Sequence, residues 1–148
     1  MFEFPDTLIL RHRKENLKKC SLRGLETRED FLFFTYPKQT LPDLSKHLLL
    51  AVDAPPLTFD DQNSGLLLID GTWRYAEIMG KSVSCPVKRS IPSHYQTAYP
   101  RRQEVIGGLA SIEALYIAYH LLGRETRGLL DCYHWKEKFL ELNHLPVS

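Results

Sequence analysis

The chain has 148 residues, 43% of them apolar, and its 19 lysines and arginines nearly balance 18 aspartates and glutamates. This length suits a core that needs no disulfide or metal, so one domain is expected over residues 1–148. The even charge balance argues against a disordered chain and against a protein that coats nucleic acid indiscriminately.

The three cysteines, Cys20, Cys85 and Cys132, are spread widely along the chain. Their odd number and wide spacing match neither a disulfide framework nor a zinc site, so no metal centre is expected. The N-terminal sequence lacks the pattern of a secretory signal, and no apolar stretch is long enough to cross a membrane. These features predict a cytoplasmic protein without a membrane partner, and we expect a monomer.

Apolar runs predict three strands in the first half of the chain, at residues 7–10, 31–36 and 48–52. The predicted connections are a polar turn at 11–16, a short amphipathic helix or a loop with one helical turn at 17–29, and a short helix at 41–47. Pro55 and Pro56 follow the third strand and predict a rigid, extended edge. This edge is a candidate wall of a ligand site or a simple chain reversal.

The strongest signal lies in the middle of the chain, where a buried strand at 66–69 is predicted to enter a helix at 74–79 that stops at Gly80. In an open α/β sheet, ligands collect beyond the carboxyl ends of the strands, where turn amides are available. Asp70 stands at that edge and is therefore a candidate ligand-binding residue. The alternative is that Asp70 is a local helix cap and Trp73 a core aromatic residue.

The second half of the chain is predicted to contain an irregular edge strand at 84–91, a helix at 109–122 that ends at Gly123, and a last helix at 126–142. Glu113 is interpreted as a first-turn acid favoured by the helix dipole rather than as a catalyst. The complete pattern predicts the α/β class, with a mostly parallel sheet and flanking helices.

Positive charge is concentrated in two stretches, one acid-free from Lys81 to Arg102 and one mostly basic from Arg11 to Arg23. Tyrosines are interleaved with arginines in the first of these, a composition typical both of contacts with unpaired RNA and of surface loops. The candidate RNA-binding residues are Lys18, Lys19, Arg23, Lys88, Arg89, Arg101 and Arg102.

Three segments resemble, in the right order, the DTW-domain family and the related small-subunit ribosomal RNA aminocarboxypropyltransferases. The segment from Ile69 to Ala76 carries the family's Asp-x-Thr-Trp pattern. Lys19-Cys20-Ser21 is similar to a Lys/Arg-Cys-Ser/Thr motif of the ribosomal enzymes, and the segment from Leu109 to Leu115 resembles the start of their C-terminal helix. The resemblance extends from about Leu8 to Asn143.

The resemblance implies a SPOUT-like fold with a C-terminal trefoil knot. It also implies S-adenosylmethionine as cosubstrate and RNA, either tRNA or small-subunit rRNA, as partner. The family transfers the 3-amino-3-carboxypropyl group to N3 of a uridine or pseudouridine and leaves 5′-methylthioadenosine. Two rival interpretations stay open: a SPOUT-type RNA methyltransferase, and a non-catalytic RNA-binding or ribosome-assembly module.

The resemblance also implies a cosubstrate site. Asp70 would either contact the amino-acid end of the cosubstrate or accept the uridine N3 proton, and both roles stay open. Trp73 and Ala76 would pack around the sulfonium and shield its methyl group. The remaining implied cosubstrate contacts are Ser21, Ala54, Pro55, Thr72, Leu109 and Ala110.

Overall fold

The computed structural model describes residues 4–14, 21–71, 73–85, 87–100 and 109–146. Within these residues one sheet contains the strands β1 (Thr7–His12), β2 (Phe31–Tyr36), β3 (His47–Leu50), β4 (Gly65–Asp70) and β5 (Lys88–Arg89). The α-helices are α1 (Trp73–Ser82), α2 (Ser111–Leu121) and α3 (Lys136–Leu142), and short 3-10 turns lie at Leu25–Thr27 and Phe59–Asp61. The predicted α/β class is confirmed.

The strand order is β2-β1-β4-β3-β5, and every neighbouring pair is parallel. The central strand β4 is buried along its whole length, as expected for a parallel strand covered on both faces. In register, Arg11 of β1 lies beside Asp70 of β4, and His12 lies beside Tyr36 of β2. The carboxyl ends of these strands therefore meet at one edge of the sheet.

Each face of the sheet carries its own apolar cluster, because successive side chains of a strand point to opposite faces. Leu66 and Leu68 pack in a cluster with α2, which is buried from Ile112 to Tyr119. Leu67 and Ile69 pack in a second cluster with the buried side of α1. Each fully buried leucine contributes about 1.5–3 kcal/mol, so the uninterrupted apolar run of β4 holds both layers together.

Two predictions about the first half of the chain are wrong. The predicted polar turn at 11–16 begins later, because Arg11 and His12 continue β1 and are buried against the Phe33 and Tyr75 rings. The helix predicted at 41–47 does not form: residues 41–44 are irregular and residues 45 and 46 form a turn. Proline at position 42 disfavours a helical conformation of the residue before it.

Predicted helix ends also differ from the observed ones. Helix α1 passes through Gly80 and ends at Ser82, whose hydroxyl donates a hydrogen bond to the Met79 carbonyl at 2.6 Å. The last helix begins at Lys136 instead of near residue 126, since Gly128 has a φ of 86°, which a right-handed helix does not accommodate. The predicted stop of α2 near Gly123 is confirmed, and this glycine has a φ of 70°.

Among the described residues, no helix has the length and apolar character needed to cross a bilayer. The same part of the chain contains no group of three or more side chains placed to hold a metal ion.

Candidate functional site

Asp70 ends the central strand, and its side chain is held from two directions. Its Oδ1 accepts a hydrogen bond from the Ser111 hydroxyl at 2.8 Å, and its Oδ2 lies 3.6 Å from Nε of Arg11. Asp70 is only 5% exposed, and Arg11 is also buried. A buried carboxylate needs such partners because removing its charge from water is costly. The pair therefore fixes an ionic group at the carboxyl edge of the sheet.

Arg11 joins Asp70 to a second acid. Its Nη1 donates to Oε2 of Glu26 at 3.3 Å, and its guanidinium lies 4.6 Å from the centre of the Phe33 ring. Burial alone would raise the pKa of Glu26, but backbone amides of Glu26 and Gly24, together with Arg11, lower it. Sequence analysis missed this arginine, although a charged residue at the end of an apolar strand was the available signal.

Ser21 lies beside the start of α2. Its hydroxyl accepts a hydrogen bond from the backbone N–H of Ile112 at 3.2 Å. The first amides of a helix have no partner within the helix, so Ser21 acts as a cap from a distant part of the chain. Ser21, Asp70 and Ser111, each from a different family-like segment, are therefore brought together at the N-terminus of α2.

Glu113 organises the same helix end from inside the protein. Its carboxylate accepts hydrogen bonds from the amides of Ala110 and Ala98, both at 2.8 Å, and from the hydroxyls of Thr97 and Tyr133 at 2.6 and 2.9 Å. Burial and the neighbouring Glu113 carboxylate raise the pKa of the Tyr133 hydroxyl. Glu113 is fully buried and fastens the segment that leads into α2, a structural role consistent with its first-turn position.

A cavity of about 490 Å³ opens at the carboxyl ends of β3 and β5. Its walls include Asp53, Ser90, His94, Tyr95 and Leu109. Burial raises the pKa of the Tyr95 hydroxyl. The volume falls within the range of small-molecule sites, about 300–1,000 Å³. Because Leu109 lies two residues before Ser111, this cavity adjoins the start of α2.

Ala54 and Pro55 lie in the loop that forms one wall of this cavity. The Ala54 carbonyl accepts a hydrogen bond from the Ser90 hydroxyl at 2.7 Å, and the Pro55 carbonyl accepts one from the Ser90 amide at 2.8 Å. Their chain neighbours Asp53 and Pro56 line the cavity itself. These hydrogen bonds tie the predicted rigid edge to the chain just after β5.

The other predicted cosubstrate contacts lie on both faces of the sheet. Leu109 and Ala110 are buried at the start of α2. Ala76 packs in the apolar cluster on the α1 face of the sheet, whereas Ser111 reaches Asp70 from the α2 face. Trp73 begins α1, but its side chain and residue Thr72 lie outside the described residues.

The candidate RNA-binding residues fall at several places. Lys88 and Arg23 are exposed, and Arg89 is partly buried, with its Nε donating to Oδ2 of Asp61 at 3.2 Å. The remaining candidates lie outside the described residues: Lys18, Lys19, Arg101 and Arg102.

No protein-family model and no curated protein matches this chain. A search of solved structures finds the SAM-dependent rRNA:acp-transferase Tsr3 from Vulcanisaeta distributa. The two structures align with a TM-score of 0.76 and 23% sequence identity, over 95% of this chain and 79% of the other. The parallel α/β sheet with its flanking helices is therefore the fold that this chain shares with Tsr3.

Proposed function

We propose that this chain transfers the 3-amino-3-carboxypropyl group of S-adenosylmethionine to N3 of a uridine or pseudouridine in tRNA or small-subunit rRNA. The observation that carries the proposal is the meeting of Asp70, Ser21 and Ser111 at the start of α2, beside the cavity lined by Leu109. The fold shared with an SAM-dependent rRNA:acp-transferase supports it. The proposal includes a SPOUT-like trefoil knot and a monomeric enzyme.

The residues at the site fit this cosubstrate. The cavity offers an aromatic ring at Tyr95, an aliphatic wall at Leu109 and a hydroxyl at Ser90, which suits a nucleoside. The Asp70 carboxylate suits the ammonium of an amino acid because it is a buried acidic group beside the start of α2. The amides of Ala110 and Ile112 are engaged by Glu113 and Ser21, so they hold the helix end in place.

When bound, S-adenosylmethionine supplies a sulfonium whose attached carbons are all electrophilic. The chain then needs to position one of those carbons and shield the others. Arg11 and Ser111 fix the Asp70 carboxylate, which either orients the ammonium or takes the N3 proton of the uridine. In this proposal Trp73 covers the methyl group, and the basic residues Arg23 and Lys88 contact RNA phosphates.

The proposal is tested by isothermal calorimetry followed by product analysis. Micromolar binding of S-adenosylmethionine, about 8 kcal/mol, is expected. Incubation with unmodified tRNA or small-subunit rRNA should then give an aminocarboxypropylated uridine and 5′-methylthioadenosine by mass spectrometry. A methylated base with S-adenosylhomocysteine would identify a methyltransferase instead. Absence of cosubstrate binding, with RNA still bound, would identify a non-catalytic module.

A further inference from the structure

Three aromatic side chains meet at the carboxyl edge of the sheet, on the face that carries α1. The His12 ring stacks on the Tyr75 ring at 3.8 Å with an interplanar angle of 5°, and lies 5.9 Å from the Tyr36 ring. His12 and Tyr36 are register neighbours on β1 and β2. We refer to His12, Tyr36 and Tyr75 as the edge aromatic cluster.

The edge aromatic cluster is partly open to solvent. His12 is 8% exposed, whereas Tyr36 and Tyr75 are each half-buried. The Nδ1 atom of His12 accepts a hydrogen bond from the Lys14 amide at 3.1 Å, which fixes the ring. Burial, with Arg13 and Lys14 nearby, lowers the pKa of His12. The cluster therefore presents tyrosine surface on a fixed, uncharged support at neutral pH.

A second cavity, of about 470 Å³, begins at Tyr36. It lies between the end of β2 and the end of α1, and its walls include Pro37, Thr40, Pro42 and Ser82. Proline rings and a tyrosine provide flat apolar surface, while the hydroxyls provide hydrogen-bonding groups. This combination suits a planar heterocycle with polar edges, such as a nucleobase.

Exposed cations surround the cluster and this cavity. Arg13 and Lys14 follow β1, and Lys38 follows β2. Arg74 and Lys81 lie on α1. Among the described residues of these segments the exposed acids are Asp43 and Glu77, so positive charge is in excess there. Aromatic rings rimmed by positive charge are the arrangement that binds unpaired nucleic acid, since bases stack on the rings and phosphates meet the cations.

The edge aromatic cluster is adjacent to the candidate site. His12 directly follows Arg11, which lies 3.6 Å from the Asp70 carboxylate. A Cβ placed on Gly71, the residue after Asp70, would lie 3.8 Å from the His12 Cβ. A chain of nucleotides crossing this edge would therefore reach the cluster and the start of α2 within a short distance.

We propose that the edge aromatic cluster and the cavity at Tyr36 bind an unpaired RNA nucleotide that flanks the nucleotide to be modified. This inference rests on the proposed function and names a further part of its RNA site. The base stacks on the solvent-facing part of the half-buried Tyr36 ring, and Arg13, Lys14 and Lys38 contact the adjoining phosphates. This surface lies at the β1 and β2 side of the sheet, whereas Lys88 and Arg89 form β5 at its opposite edge.

The test measures binding of a short, fluorescein-labelled single-stranded oligouridylate by anisotropy. Tyr36→Leu removes the ring and should weaken binding about tenfold, because one stacked base contributes that order of free energy. Tyr36→Phe keeps the ring and should bind within about twofold of the unchanged protein. Circular dichroism and thermal unfolding verify that both variants fold. Equal binding by a folded Tyr36→Leu protein would overturn the proposal.

A matched pair of charge reversals tests the phosphate contacts. Lys38→Glu should weaken binding about tenfold and flatten its salt dependence, since one fewer counterion is released. Lys46→Glu places the same change at an exposed position just before β3, at the other end of the sheet, and should leave both quantities unchanged. Equal effects of the two reversals would show nonspecific attraction and overturn the assigned surface.

Calorimetry with S-adenosylmethionine on the same variants separates this inference from the proposed function. Tyr36→Leu should retain cosubstrate affinity, because Tyr36 lies on the α1 face and away from the cavity lined by Leu109. Cosubstrate binding without any effect of Tyr36 or Lys38 on RNA affinity would overturn only the flanking-nucleotide site. RNA affinity that depends on Tyr36 and Lys38, in a protein that does not bind the cosubstrate, would overturn only the proposed transferase.

Discussion

At the scale of single residues, polar contacts around the start of α2 hold together residues from distant parts of the chain. Asp70 is held by Ser111 and Arg11, and Ser21 holds the Ile112 amide. Each contact joins residues far apart in the sequence. The resemblance named Ser21 and Asp70, but Ser111 and Arg11 emerge only when β1, β4 and α2 are packed together.

Asp70→Asn keeps the side-chain shape and removes its charge, so it should lower the transfer rate by about a hundredfold or more. Steady-state kinetics and calorimetry also distinguish its two roles. A ligand for the ammonium predicts weaker cosubstrate binding, whereas a base predicts unchanged affinity and a lower rate constant. Asp60→Asn, at an exposed position, is the control. Full rate and full affinity in Asp70→Asn would remove Asp70 from the site.

Glu113→Gln should destabilise the protein by about 3 kcal/mol in urea unfolding. The carboxylate accepts four hydrogen bonds, and an amide would turn its NH₂ group toward at least one backbone N–H donor. Glu137→Gln, exposed on α3, should change stability by less than about 0.5 kcal/mol. Equal stabilities of the two variants would contradict the capping role of Glu113.

His12 should make folding stability depend on pH. The pKa of His12 is lowered from the ordinary 6.5 in the folded protein. As the pH falls below 6.5, the unfolded chain therefore binds more protons than the folded protein does, and the free energy of unfolding decreases. Stability is therefore fully present above pH 6.5 and declines as the pH falls toward the folded value. Urea unfolding across this range should show a slope that His12→Asn reduces.

At the scale of elements, the backbone conformation of two glycines explains why one predicted helix end is confirmed and the other is wrong. Gly80 is tolerated inside α1, whereas Gly123 ends α2 in a left-handed conformation. We therefore expect the two glycines to respond differently to the same substitution.

Gly80→Ala should stabilise the protein by about 0.5–1 kcal/mol, because the new methyl group would only contact Ile69 Cδ1 at 3.9 Å and alanine favours a helix. Gly123→Ala should destabilise it by about 1 kcal/mol or more, since its φ is 70° and the methyl group would approach Phe59 Cε1 to 2.8 Å. Thermal unfolding measures both changes. Shifts of the same sign would contradict these assignments.

Strand positions are predictable from the sequence where the signal is local, and element ends are missed where they depend on distant contacts or on backbone conformation. Strand β2 was predicted with its observed bounds, and β4 within one residue at each end, because apolar runs bounded by turn residues are local signals. The continuation of β1 through His12 was missed, since the aromatic partner that buries this polar residue comes from the distant helix α1. The late start of α3 was missed because nothing local showed that Gly128 would take a positive φ.

At the scale of the whole molecule, the parallel strands and the start of α2 bring segments from the first, middle and last thirds of the chain to one edge. The fold alone is compatible with more than one activity, because function resides in the site rather than the scaffold. The class of fold is predictable from periodicity, whereas the convergence at Asp70 requires the packing of β1, β4 and α2. In the proposed reaction this edge directs the aminocarboxypropyl group, and not the methyl group, of the cosubstrate to RNA.

The group that is transferred is measured most directly with two radiolabelled forms of S-adenosylmethionine, one labelled in the carboxyl carbon and one in the methyl carbon. Each is incubated with the unchanged protein and unmodified small-subunit rRNA or tRNA, and the RNA is recovered and counted. The carboxyl label should enter the RNA and the methyl label should stay in the small-molecule fraction. Methyl label in the RNA without carboxyl label would contradict the proposed reaction.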